Sequence, residues 1–464
     1  MFTDRRKFAA RFAAALGIAA GSRALHAQTA VPAKRVVVPD LTKLEPTITG
    51  GVKEFHLIAE VVQTEFVPGR PVTAWGYNGS VPGPTIEVDE GDRVRIVVEN
   101  RLPEPTAPHW HGLELPFEMD GAPGLTQDPI QPGEKATYEF TINQNGTFFY
   151  HSHMAMQEMM GMIGLFLVHP KQAHQPAVDR DFGLILQEWA IRPNNPVPNT
   201  LAMEFNWLTM NGKSGPATTP MMVKLGERVR IRIVNLGMDH HPLHLHGHQF
   251  LVTGSEGGRL PETTWAPGNT VLVGVGQARD IEFTAKYAGD WMLHCHMPHH
   301  GMNQMVSMVG PIESHTADMY PKNDAEKKKV PGYPQDMWMA MDGMVKNKRE
   351  TTGLRPGWTA GMMGMMTLVR VLPADKYDQI MGAEPLAAGS HVLMGTVQAV
   401  NAATRRLTVK HEAVAGWMGA MTMAYAVDKP ESLSGLKAGD TIQATVFDGD
   451  MTLHDVKIAP REGK

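Results

Sequence analysis

The sequence predicts an all-β chain: two tandem β-sandwiches, a methionine-rich linker and a small terminal β-barrel. Three observations carry that expectation. From Val52 to about Val309, short alternating β-branched segments are broken by Gly and Pro, with little helical periodicity. An internal repeat divides that stretch into two copies. Short strand-like runs with turn signals such as Asp428-Lys-Pro430 and Asp448-Gly449 then fill the last ~75 residues, which suits five strands closed into a barrel of the OB type. At 464 residues the chain has material for about three domains of roughly 150 residues each.

The elements follow in order. The N-terminus reads Asp4-Arg5-Arg6-Lys7-Phe8, then an Ala-rich run to Ala20, then Ala24-Leu25-His26-Ala27. A charged start, a short apolar middle and a small-x-small end predict an export signal over residues 1–27. The paired arginines and weakly hydrophobic core predict the twin-arginine type, hence a periplasmic protein. No later stretch reaches the ~18 apolar residues needed to span a bilayer, so no membrane span is expected.

The two sandwiches are expected over 45–170 and 171–313. Gly91-Asp-Arg-Val-Arg-Ile-Val-Val-Glu-Asn100 recurs as Gly226-Glu-Arg-Val-Arg-Ile-Arg-Ile-Val-Asn235, an offset of 135. The same offset lays His109-Trp-His111-Gly112 on His244-Leu-His246-Gly247. Further on, Glu139-Phe-Thr141 matches Glu282-Phe-Thr284 at an offset of 143, which lays His151-Ser152-His153 on His294-Cys295-His296. Each copy brings two His-x-His pairs. Residues 314–388 change texture, with Lys327-Lys328-Lys329 and Met at 337, 339, 341, 344, 362, 363, 365 and 366. They are expected as a solvated linker. The barrel takes 389–464.

Composition narrows the chemistry. Lys and Arg number 43 against 48 Asp and Glu, a net charge of −5, which gives no footing to a nucleic-acid or anionic-membrane surface. One cysteine excludes an intrachain disulfide and a cysteine-rich zinc or iron–sulfur site. Sulfur comes instead as 32 methionines, beside 21 histidines. That is a metal-handling composition.

In a strand, residues i and i+2 share a face, so each His-x-His pair aims two imidazoles at one place. Four pairs placed symmetrically in two repeats give eight histidines, enough for about three metal ions, and imidazole suits copper, zinc, iron or nickel. The surroundings of Cys295 choose copper. His300 follows at +5, Met305 at +10, and His241 precedes the third pair. Two His, one Cys and a weak axial Met make a blue-copper electron-transfer set. The first copy carries Thr106, Ser152, Gln157 and Met162 at these positions, so it keeps the cluster histidines without a blue site.

These motifs together resemble the copper motifs of multicopper oxidases, over residues ~50–310. The resemblance implies two cupredoxin-like Greek-key sandwiches and about four coppers per chain. Carried over, the blue (type 1) copper takes His241, Cys295, His300 and Met305. The type 2 copper takes His109 and His244, and the type 3 pair takes His111, His151, His153, His246, His294 and His296. It implies one-electron oxidation of a reductant, Cu(I) or a phenol, coupled to reduction of O2 to water. Electrons then pass from the blue site through Cys295 to the cluster. Asp120, nine residues past His111, matches a carboxylate that helps supply protons in the family, while a second acid found in some relatives is replaced by Gly301. With two such domains, the chain is similar to the two-domain class whose members form trimers, and a homotrimer is expected, with closure of the cluster within one chain as the alternative.

Thioether sulfur selects Cu(I), and the linker methionines are expected to bind it transiently. The tail resembles small periplasmic copper- and silver-binding chaperones through His411, Met421 and Met423, with Trp417 one residue further from Met421 than the chaperone pattern and Met418 as its substitute. The segment 384–464 carries eight Lys and Arg against nine Asp and Glu, which argues against single-stranded nucleic acid on the barrel. The expected function is an exported Cu(I) oxidase of copper tolerance. Alternatives are a laccase-like phenol oxidase and a copper-sequestering protein without turnover. Nitrite reductase also has two such domains, but the eight-His cluster argues against it.

Overall fold

The computed structural model describes residues 35–191, 195–301, 307–309, 333–335, 340–382, 389–402 and 404–459. The expected export signal, Lys327 to Lys329, Met305, Met337 and Met339 lie outside them. Among the described residues no helix is long and apolar enough to cross a membrane.

The first sandwich pairs two sheets. One is built on the long strand Val52–Glu65, flanked by Arg93–Asn100 in parallel and Pro71–Tyr77 antiparallel, with Lys135–Thr141 beyond. The other runs Ile86–Asp89, Ile163–His169, Gly146–Ser152, Pro108–His111. Arg93-Val-Arg-Ile-Val-Val behaves as its alternation demands: Val94, Ile96 and Val98 are buried while Arg93 is exposed. They meet Phe55, Leu57, Trp110, Tyr150 and Phe166 between the sheets. Burial of each such side chain contributes about 1.5–3 kcal/mol.

The second sandwich repeats the plan. Arg180–Trp189, Arg228–Asn235 and Gln277–Thr284 form the centre of one sheet. The other sheet runs Met221–Lys224, Met366–Leu372, Gly289–Cys295, His241–Leu245, Thr270–Val273. The second strand of that series departs from expectation, because the sequence predicts a linker over 314–388. Met366–Leu372 lies inside the sheet, antiparallel to Gly289–Cys295 and parallel to Met221–Lys224. Its Thr367-Leu-Val-Arg-Val371 run is buried, and Arg370 donates to Asp290 at 2.7 Å. Paired on both edges and covered on both faces, this segment behaves as an interior strand.

The tail closes into a barrel in the order Ser390–Asn401, Arg406–His411, Met421–Val427, Asp450–Ile458, Thr441–Phe447. It is not a separate bead on a string. Leu393, Val409, Trp417 and Tyr425 share one apolar cluster with Phe66, Val67, Trp189 and Trp207 of the sandwiches. Gly69 sits at the junction, where an added Cβ would fall 2.7 Å from that of Met451, and Arg406 Nη2 donates to its carbonyl at 2.5 Å. Ala340 and Gly343 bond to the barrel backbone at Gly419, Trp417 and Gly449. The methionines there correct the Cu(I) expectation for the linker. Met341, Met344, Met362, Met363 and Met365 are buried. Thioethers packed into a core fill irregular space and offer no open site for transient capture of Cu(I) from solution.

Candidate metal centres

His241 opens the strand His241–Leu245, and Cys295 ends its neighbour, with Leu243 opposite Cys295. The two donors are therefore diagonal partners across one strand pair, within reach of each other. His300 comes from the 3-10 turn Pro298–Gly301. His241 Nδ1 lies 3.1 Å from His300 Nδ1, and Cys295 Sγ lies 3.7 and 3.4 Å from those two atoms. A point equidistant from all three is about 2.0 Å from each, the length of metal–imidazole and, nearly, metal–thiolate bonds. All three residues are buried. The donor set fits a blue copper, and Met305, its expected fourth member, lies outside the described residues.

Electrostatics prepare the same centre. Burial first, then His241 and His299, holds His300 down to about 3, so its imidazole stays neutral. Burial pushes the Cys295 thiol up to about 11, so a metal ion, and not the apoprotein, creates the thiolate. The Glu188 carboxylate lies 3.1 Å from His241 Nε2, accepts the Met238 and Asp239 amides, and is wholly buried. An Nε2–H donated to Glu188 leaves the Nδ1 lone pair for metal. Asp239 Oδ2 lies 3.4 Å from His300 Nε2.

The His pairs form two quartets. In the first, His109, His111 and His151 offer nitrogens within 4.8 Å of one another, and the His153 ring lies 5.5 Å from that of His109. In the second, His246 Nε2 and His294 Nε2 are 3.1 Å apart, with the His244 ring 5.7 Å from His294 and 5.5 Å from His296. The repeat extends to the supporting bonds. His109 Nδ1 bonds to the Asp120 carbonyl and His244 Nδ1 to that of Asn269, each at 2.8 Å. His151 and His294 likewise donate Nδ1 to the carbonyls of Ser152 and Cys295 at 2.9 and 2.8 Å. All four are left with Nε2 as the free donor. Burial holds His151 down to about 3 and lowers His111, His246 and His294, keeping these imidazoles neutral as ligands must be. Among the described residues no ring contact joins the two quartets, and His153 and His296 are exposed.

Where the second domain holds His241, Cys295 and His300, the first holds a neutral triad. Thr106 Oγ1 and Ser152 Oγ both donate to Gln157 Oε1, at 2.9 and 2.7 Å. Asp120 keeps a carboxylate oxygen 3.5 Å from His109 Nδ1, in a turn closed by Gly121, whose added Cβ would strike the Pro108 carbonyl. Glu158 Oε2 lies 3.4 Å from His151 Nδ1.

In the barrel, His411 pairs directly with Met421, and Met423 and Tyr425 follow on the same face. His411 donates Nδ1 to the Glu412 carbonyl and accepts the Tyr425 hydroxyl on Nε2 at 2.6 Å. The same hydroxyl lies 3.8 Å from Met418 Sδ, and Trp417 donates to the Phe447 carbonyl. Tyr425 therefore occupies the nitrogen a metal would need. Glu188, Asp239 and Tyr425 escaped the reading of the sequence. The available signals were a carboxylate inside the apolar run Leu184–Trp189, an acid two residues before His241, and the period-two step from Met423.

Comparison with known proteins identifies the family. Residues 59–173 and 190–313 match two families described as multicopper oxidase, and 390–459 match the copper binding periplasmic protein CusF family. The copper resistance protein A homolog of Pseudomonas syringae pv. tomato is 40% identical over 137 residues, 30% of this chain and 23% of that relative. Laccase-2 of Botryotinia fuckeliana is 33% identical over 268 residues, 52% of this chain and 45% of that relative. The chain thus spans less than half the length of these curated relatives. Among solved structures, a blue copper oxidase from Nitrosomonas europaea is similar at 33% identity and a TM-score of 0.51, covering 54% of this chain and 81% of that one. The multicopper oxidase mgLAC is similar at 34% identity and a TM-score of 0.51, covering 54% of this chain and 82% of that one.

Proposed function

This chain belongs to the multicopper oxidase family, and we propose that it is an exported, periplasmic Cu(I) oxidase of copper tolerance, holding about four coppers and reducing O2 to water. The observation that carries the redox reading is the buried Nδ1, Nδ1, Sγ triangle whose cysteine is covalently joined to a cluster histidine on either side. Copper held at these sites supplies one-electron chemistry at the triangle and oxygen reduction at the quartets. Each O2 takes four electrons and four protons to two waters, so four Cu(I) substrate ions leave as Cu(II).

The protein's own residues do the rest. Glu188 fixes the tautomer of His241, and the backbone of Cys295 links the triangle to His294 and His296. Asp120, with a carboxylate oxygen 3.5 Å from His109 Nδ1, stands where it can pass protons beside the type 2 position. The separated, half-exposed quartets favour a homotrimer in which one subunit's first quartet meets a neighbour's second. Cu(I) is preferred over a phenol as reductant because a barrel carrying His411, Met418, Met421 and Met423 is packed into the same core. Displacement of the Tyr425 hydroxyl from His411 would open that site to Cu(I).

Oxygen uptake tests the reading. Because the barrel shares its core with the sandwiches, a point variant serves better than a truncation. Steady uptake with Cu(I) is expected, with His411→Ala raising the Cu(I) concentration needed and leaving phenol oxidation unchanged. Faster turnover with phenol and no effect of His411→Ala would favour a laccase. Uptake that stops at stoichiometry would mark a storage protein.

A further inference from the structure

We propose that the axial sulfur of the blue site is Met365, delivered by the strand beyond the inserted segment, and that Met305 is not its ligand. This rests on the blue-site reading above and names a residue which that reading lacked.

The first domain supplies the template. There, Ser152 donates its backbone N–H to the Met162 carbonyl at 3.1 Å, and Met162 donates to the Gln157 carbonyl at 3.4 Å. In the second domain Cys295 donates to the Met365 carbonyl at 3.0 Å, and Met365 donates to the His300 carbonyl at 2.9 Å. Ser152 and Gln157 are the counterparts of Cys295 and His300, so Met365 is the counterpart of Met162. Register agrees: Ile163 pairs with His151 as Met366 pairs with His294. One step along each ladder puts residue 365 beside Cys295 and 162 beside Ser152, on one face of the sheet. Met162 and Met365 are both buried, and Met365 belongs to the same apolar cluster as Cys295.

The sequence carries the same equivalence at an offset of 203. Met159-Met-Gly-Met162 recurs as Met362-Met-Gly-Met365, each followed by an apolar strand and then by Pro170 or Pro373. Gly161 and Gly364 both take positive φ, 113° and 64°, so the chain makes a glycine-dependent turn into both strands. Met305 fits the spacing from His300 only if the second domain has no insertion there. The strand paired with Gly289–Cys295 is instead Met366–Leu372, 65 positions past Gly301 in sequence, and Ala340 and Gly343 on the described approach to it are bonded to the barrel. The described residues 340–364, which lead into Met365, thus also contact the barrel.

A weak axial thioether tunes a blue copper without being needed to hold it, since the two His and the Cys form the trigonal set. Met365→Leu, close in volume and lacking sulfur, should keep the fold and the blue colour, raise the reduction potential and shift the thiolate absorption band. Met365→Gln, with a stronger oxygen ligand, should lower the potential. Met305→Leu should leave potential and spectrum at wild-type values. Redox titration and absorption and EPR spectra of the copper-loaded full chain read all three. A shift in Met305→Leu, or none in the two Met365 variants, overturns the assignment. A fully copper-loaded wild type with no blue band overturns this and the blue-site reading together.

Discussion

Glu188 is a charged side chain with no exposure to solvent, and such a charge persists only where its acceptor sites are filled. His241 and two backbone amides fill them. A carboxylate on the far nitrogen makes the imidazole a better donor and favours the oxidised metal. Glu188→Gln is therefore expected to raise the blue-copper potential and to weaken copper retention about 10- to 100-fold, the usual cost of removing such a partner. Chelator competition and redox titration check this; retention and potential both unchanged would reduce Glu188 to a packing role. At this scale the sequence is legible where chemistry is local. His-x-His needs only the two-residue period of a strand, and Cys295 with His300 needs one turn. Glu188 reaches His241 from the opposing sheet of the sandwich, and nothing near position 188 but a charge among apolar neighbours betrays it.

At the scale of elements, the alternating strands were legible because one face of each is buried, whereas Met366–Leu372 was not. Its methionine-rich approach reads as linker, and its partner strands lie far away in sequence. The Arg-rich strand Arg228–Asn235 was legible as a strand, but not the purpose of its charges. Arg228, Arg230 and Arg259 converge on the wholly buried Glu282, with contacts of 2.7, 2.8 and 2.6 Å. Burial raises the Glu282 pKa, but Arg230 and Arg259, then Arg228, outweigh it and hold the carboxyl at about 2 against an ordinary 4.5. A carboxyl depressed by folding stabilises the fold above its unfolded value, and that stability is lost as pH falls. The thermal midpoint should therefore drop between about pH 4.5 and pH 2. Glu282→Gln should flatten this drop and cost about 3–5 kcal/mol near neutrality, since it removes the buried negative charge that three guanidinium groups share. Melting curves against pH decide it; an unchanged acid slope would mean that other carboxylates carry the transition.

At the scale of the whole molecule, no ring contact joins the two quartets among the described residues. Each has ordered its rings through backbone carbonyls, yet each faces outward with one histidine exposed, His153 in one and His296 in the other. Ligands half-built for a shared cluster have value only if another surface completes them, and a cyclic, head-to-tail assembly does so for every copy at once. The chain is therefore expected to sediment as a trimer whose type 2 and type 3 copper is lost on dissociation, while the blue site, built within one domain, survives. A sharper check uses two inactive variants, His109→Ala with His111→Ala in one chain and His294→Ala with His296→Ala in another. Mixed during assembly, they should regain part of the oxygen uptake, because some junctions then pair an intact first quartet with an intact second one. Variants that stay inactive when mixed, or a monomer carrying all its copper, would place the cluster within a single chain.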